Sequence, residues 1–175
     1  MFFDIHTLER KQIRFDEVFH PGSIDFLDES LKQASDLHAA GVAELVDPFG
    51  AREIRVHGSI EGDLEVLCAR CLEPVRLHLA QALDLFYRPM GQIARDEEIE
   101  ISQAELEVGF YQGSGIELAD VVREQVTIEL PIRSVCREEC RGICPICGKN
   151  RNIEACTCRE EFHDPRWESL VKWKN

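Results

Sequence analysis

The stretch EIRVHGSIEGDLEVLCARCLEPVRLHLAQALDLFY, residues 53–87, carries the pattern that decides the fold. Ile54, Val56, Gly58, Ile60, Gly62, Leu64 and Val66 fall on alternate positions, separated almost entirely by polar residues. After CARCLEP the alternation resumes at Val75, Leu77, Leu79, Leu83, Leu85 and Tyr87. Successive strand side chains point to opposite faces, so a period of two on both sides of a short break predicts an antiparallel hairpin with one buried face. Residues 68–74 form its tip, and Gly58 and Gly62 mark a bulge or divide the first arm into two strands.

Towards the N-terminus, Phe3, Ile5 and Leu8 predict a short strand. DESLKQASDLHAAG, residues 28–41, reads as a helix on the spacing of Leu31, Ala34, Leu37 and His38, with Asp28 or Ser30 as cap and Gly41 as stop. VAELVDPFG, residues 42–50, reads as a strand entering a turn. Beyond the hairpin, residues 99–101 and 105–110 read as shorter strands. IELADVVREQVTIEL then changes period: Leu118, Val121, Val122, Gln125 and Val126 follow helical spacing until Pro131 stops it. Finally DPRWESLVKW, residues 164–173, predicts a helix capped by Asp164. The expected fold is α+β: a mainly antiparallel β-sheet with two or three helices and a C-terminal cysteine-rich zinc-binding tail. Residues 1–132 form the body that carries the 68–71 knuckle, and residues 133–175 the tail with its closing helix.

At 175 residues, 44% apolar and 30% charged, the chain can bury one core and is too apolar for general disorder. The opening MFFDIHTLERK has no apolar h-region, and no run is long enough to span a bilayer. A cytoplasmic protein is expected, and there disulfides are rare. The net charge of −13 argues against coating nucleic acid by charge alone. It is unevenly spread: residues 1–132 hold 11 Lys/Arg against 26 Asp/Glu, and residues 133–175 hold 9 against 7.

Eight cysteines therefore need another use. Cys68-x-x-Cys71 and Cys144-x-x-Cys147 have the spacing that turns two thiolates onto one tetrahedral ion. In CPICG, Pro145 stiffens the turn and Gly148 supplies positive φ. Cys156 and Cys158 complete a four-sulfur site with that pair. Cys68, Cys71, Cys136 and Cys140 remain for a second site, which would clip the tail to the hairpin tip. The rival grouping is one tail site of Cys136, Cys140, Cys144 and Cys147, with the others free; His163 is a possible substitute ligand that reads better as a surface residue. A redox role for CARC needs a helix N-terminus after a strand, whereas strand-like residues and Pro74 follow here. Between Cys136 and Cys158 only Ile143, Ile146, Ile153 and Ala155 could build a core, so metal must replace one. Structural zinc in small modules contributes roughly 10–16 kcal/mol of apparent binding energy.

Four thiolates close the metal's shell and leave no position for a substrate or a reactive water. No histidine has Glu two residues on, as zinc deaminases require, and no phosphate-binding glycine loop or G-x-S-x-G elbow occurs. No catalytic residue, small-molecule substrate or membrane partner is expected. A binding module remains, with Arg133, Arg137, Arg141, Lys149 and Arg151 as candidate RNA or partner contacts, opposed by Glu138, Glu139 and Glu154.

CARCLEP, IELADVVREQVTIELP, CREECRGICPICGKNRN, CTC and DPRWESL, in that order, resemble the YceD family over roughly residues 54–173; the first fifty residues carry little of that signature. The resemblance implies a non-enzymatic role in ribosome biogenesis, in which accumulation of large-subunit ribosomal RNA depends on binding a large-subunit precursor. The alternatives from the residues alone are a zinc-dependent protein–protein adapter unrelated to the ribosome and a thiol redox or zinc-storage protein.

Overall fold

In the computed structural model, which describes residues 1–47, 52–90 and 108–158, the alternating stretch forms two long strands, β5 (Glu53–Leu67) and β6 (Pro74–Pro89). They are neighbours in one sheet and are joined by only residues 68–73, too few for a parallel crossover. Ile54, Val56, Ile60, Leu64 and Val66 of β5 are all buried, as are Leu79, Leu83 and Tyr87 of β6.

The other elements are β1 (Phe2–Asp4), the short α1 (Ile5–Leu8), β2 (Ile13–Phe19), β3 (Leu31–Gln33), β4 (Leu37–Val46), β7 (Val108–Tyr111), β8 (Gly115–Glu117) and α2 (Leu118–Glu129). The larger sheet runs β2-β4-β5-β6-β7, with β3 also pairing β5; β1 and β8 form a separate antiparallel pair. Pairing is antiparallel from β2 through β4 to β5, whereas β7 lies parallel to β6. The core joins the inner sheet face to Phe3, Phe15 and the α2 stripe Leu118, Val121, Val122 and Val126.

The helix expected over residues 28–41 is instead β3, a turn and the start of β4. Two signals competed there. Leu31, Ala34 and Leu37 fit helical spacing, but Leu37, Ala39 and Ala43 keep a period of two and are all buried against β5. Asp28 does not cap a helix: its carboxylate accepts from the Ser30 backbone N–H at 2.8 Å, closing a local turn. Long-range pairing overrode a weak local preference. The expected N-terminal strand is present but ends at Asp4, whose carboxylate accepts from Thr7 N and caps α1. The helix expected after residue 116 is α2, ending before Pro131. The expected strand at 99–101, residues 105–107 of that at 105–110 and the helix at 164–173 lie outside the described residues, while residues 108–110 belong to β7.

Gly58 does not break β5, which runs unbroken through both glycines. It sits directly across from Gly41 of β4. A Cβ on Gly58 would come within 2.1 Å of the Ala40 carbonyl oxygen, and one on Gly41 within 2.2 Å of that of His57. The glycines permit a close backbone approach rather than a bulge.

By its contacts the chain forms two units, Met1–Val66 with Pro74–Ile132, and Leu67–Glu73 with Arg133–Asn175. The turn holding Cys68 and Cys71 thus groups with the C-terminal cysteines.

Gly58→Ala forces the β4 and β5 backbones apart and should destabilise the first unit by about 3 kcal/mol or more, measured by denaturant unfolding. Ser59→Ala, one position along on the exposed face, should change it by less than about 0.5 kcal/mol.

Candidate metal centres

The two C-x-x-C turns are built alike. At the first, Cys68 N donates to the Glu73 carbonyl at 2.8 Å and Leu72 N to the Cys68 carbonyl at 2.9 Å. At the second, Cys144 N donates to the Lys149 carbonyl and Gly148 N to the Cys144 carbonyl, both at 2.8 Å. The residue after the second cysteine takes positive φ in each: 62° at Leu72 and 71° at Gly148. Glycine is the residue that this conformation favours, and Leu72 adopts it against its own preference.

The remaining ligand candidates arrive on the C-terminal segment. Ala69 N donates to the Ser134 carbonyl at 2.8 Å and Ile143 N to the Arg70 carbonyl at 2.9 Å, so residues 134–143 wrap the first turn. Gly142, with φ of 68°, lets that backbone pass close, since a Cβ there would lie 2.8 Å from the Arg70 carbonyl oxygen. The Arg70 guanidinium donates to the carbonyls of Glu138 at 2.8 Å and Cys140 at 3.0 Å.

The eight sulfurs fall into two groups of four, Cys68, Cys71, Cys136 and Cys140, and Cys144, Cys147, Cys156 and Cys158. Within each group all four sulfurs lie within 4.8 Å of one another. Contacts are 3.9 Å for Cys68–Cys140, 3.7 Å for Cys71–Cys136 and 3.6 Å for Cys147–Cys156. A disulfide needs about 2.05 Å between sulfurs, whereas a tetrahedral ion with 2.3 Å metal–sulfur bonds sets them about 3.8 Å apart. The spacing fits a shared ion. The rival tail grouping of Cys136, Cys140, Cys144 and Cys147 is not the one formed.

Backbone N–H groups prepare thiols in both groups. Burial opposes ionisation of Cys68, but the N–H groups of Cys136, Arg70 and Cys71 outweigh it and lower its pKa to about 6. At Cys144 the N–H groups of Cys147 and Ile146 lower it to about 6. Cys158 goes the other way, pushed up to about 12 by Cys156 and Cys147. Like charges crowd these sites, so full ionisation requires a cation at the centre.

Asn152 was not among the residues that spacing could single out, yet it links the site. Its Nδ2 donates to Cys140 Sγ at 3.3 Å, and its Oδ1 accepts from the Arg141 backbone N–H at 2.9 Å. Nothing in the sequence marks it; only the fold brings it to the sulfur.

Of the candidate contact residues, Arg137, Arg141 and Arg151 line one cleft of about 350 Å³ with Glu139 and Asn152. Arg151 also lies 3.8 Å from Cys144 Sγ. Lys149 pairs with Glu154 at 2.9 Å, which raises its pKa. Arg133 is exposed on the same unit, outside that cleft.

Residues 56–174, which contain all eight cysteines, match the family described as "Large ribosomal RNA subunit accumulation protein YceD". The chain belongs to the YceD family. Uncharacterized proteins of Mycobacterium bovis and Mycobacterium tuberculosis are 39% identical over 120 residues, covering 68% of this chain and 55% of theirs. The chain thus spans about half the length of these relatives. An Arabidopsis thaliana protein named "Large ribosomal RNA subunit accumulation protein YCED homolog 1, chloroplastic" is 35% identical over 55 residues, 31% of this chain and 17% of its own length. No solved structure matches. Among the described residues, no helix is long and apolar enough to cross a membrane.

Asn152→Ala removes the donor to Cys140 and the acceptor for Arg141. It should weaken metal retention by the first group about tenfold in competition with a chelator, while the second group is unchanged.

Proposed function

We propose that this chain promotes accumulation of large-subunit ribosomal RNA by binding precursor large-subunit particles, as a non-enzymatic factor whose cysteines hold two structural zinc ions. The family match over residues 56–174 carries this reading, because the matched range includes both sulfur groups. Four thiolates in a tetrahedral set favour zinc or an iron–sulfur cluster over harder cations. Zinc fits a structural role best, since it has no redox chemistry and such a shell offers no open position. Cys144, Cys147, Cys156 and Cys158 form one centre; Cys68, Cys71, Cys136 and Cys140 form the other.

The zinc ions organise a unit with little apolar interior. Ile143, Ile146 and Ile153 are all exposed. With the ligands fixed, Arg137, Arg141 and Arg151 present guanidinium groups at one cleft, suited to ribosomal RNA phosphates. Arg133 and Lys149 extend the contact surface.

One observation favours a protein partner as a second reading. A zinc ion with four thiolates carries a net charge of two negatives. Loading both centres moves the chain's formal charge from −13 to about −17. The arginines then offset thiolate charge as well as any phosphate, and a basic protein becomes a better match than naked RNA. An adapter acting away from the ribosome has the same electrostatics.

Purified chain should contain two zinc ions by elemental analysis, and Cys71→Ser or Cys147→Ser should each lose one. In a cell lysate, zinc-loaded chain should co-sediment with immature large subunits and leave them after ribonuclease treatment. Charge reversal at Arg137, Arg141 and Arg151 should weaken this association at least about tenfold with zinc content unchanged. A ribonuclease-resistant complex away from all ribosomal particles establishes the adapter instead.

A further inference from the structure

A second cleft lies on the first unit, far in character from the cysteine centres. It has a volume of about 380 Å³ and is bounded by the ends of β6 and β7, by β8 and by one face of α2. Phe2, Tyr87 and Phe110 line it, and Phe2 and Phe110 are 44% and 48% exposed. Glu117, Asp120 and Glu124 line it too, all exposed. Asp120 and Glu124, four residues apart, share one face of α2, and Glu117 is the extended residue that precedes the helix at the end of β8.

These carboxylates are not equally occupied. Asp120 accepts from Arg123 at 2.6 Å, and Glu117 lies 3.6 Å from the Met1 amino group. Glu124 accepts from the neutral Tyr87 hydroxyl at 3.2 Å, and no cation pairs with it among the described residues. Burial and the Glu124 carboxylate together raise the Tyr87 pKa, so this donor stays protonated. Tyr111, 5% exposed, also lines the cleft, and its buried hydroxyl has no hydrogen-bond partner among the described residues. Its oxygen is free to accept from an N–H donor.

We propose that this aromatic, acid-lined cleft binds an arginine or lysine side chain from a basic segment of a partner protein. Aromatic faces attract a cation, carboxylates accept its hydrogen bonds, and a long aliphatic stem fits apolar walls. The same carboxylates repel RNA phosphate. The net charge of residues 1–132, 11 Lys/Arg against 26 Asp/Glu, draws a basic chain from a distance. A volume near the lower end for ligand pockets admits one or two long side chains, not a folded element. This site shares no residue with the cysteine unit, so it stands whether or not the chain meets a ribosomal particle.

The test is an NMR titration of the full, zinc-loaded chain with a capped Arg-Gly repeat peptide at physiological salt, with a Glu-Gly repeat as control. The Arg-Gly peptide should shift the amides of Phe110, Gln112, Gly115, Asp120 and Glu124, and the Glu-Gly peptide none of them. Phe110→Ala and Glu124→Gln should each weaken binding about tenfold. Asp16→Asn, on β2 and paired with His38, should leave it unchanged. Equal weakening by all three variants means diffuse charge attraction and overturns the site, as does an absence of shifts around the cleft. Displacement of the Arg-Gly peptide from these residues by an oligouridylate that binds there also overturns it.

Discussion

Four thiol sulfurs gathered within 4.8 Å of one another set the constraint on which the second unit rests. Neutral thiols gain little by meeting, and thiolates repel. The opposed shifts at Cys144, pulled down by N–H donors, and Cys158, pushed up by its neighbours, express that conflict. A divalent cation would resolve it by making every sulfur an anion and every anion a ligand. The backbone around each group is arranged for this, with hydrogen-bonded turns, positive φ after the second cysteine and an amide from Asn152 on Cys140. Side chains that would fill the interior of a larger unit instead face outward, as at Ile146 and Ile153.

The first unit solves the same problem with apolar area. Its sheet places Ile54, Val56, Ile60 and Leu64 on one face, where Leu118, Val121, Val122 and Val126 of α2 join them in one core. Register matters because a slip of one residue would turn every one of those side chains to solvent. The Gly41–Gly58 pair holds it further, since a one-residue slip would set a residue with a Cβ against the closely approaching backbone at that crossing. The outer face of this sheet is polar, with His38 on Asp16 and Arg55 on Asp84, both exposed and of small energetic weight.

The two units differ in the partners that their surfaces can take. Cysteine groups that could hold metal lie on the same unit as Arg137, Arg141 and Arg151, so sulfur and guanidinium groups are kept close together. The cleft beside α2 has carboxylates and aromatic rings without such a concentration of arginines. The proposed role would bring both kinds of charge to the chain, because ribosomal RNA and ribosomal proteins carry opposite signs.

The sequence by itself determined the long hairpin, α2 and the cysteines that are candidate metal ligands. Alternation in β5 and β6 persists over enough residues to outweigh noise, Pro131 limits the helix, and C-x-x-C has the spacing that turns two sulfurs onto one ion. The assignment of residues 28–41 went to the wrong element because a short segment with apolar residues at positions compatible with both periods has no local winner; pairing with β5 decided it. Sulfur grouping was open for a similar reason. Cys68 and Cys136 are far apart in sequence, and spacing says nothing about which distant pair meets. Only the tertiary structure decided that they share a centre, that Asn152 reaches Cys140, and that Phe2, Phe110 and Glu124 line one cleft. Local periodicity records where each side chain points, whereas contacts between distant segments exist only once backbone pairing has fixed which faces meet.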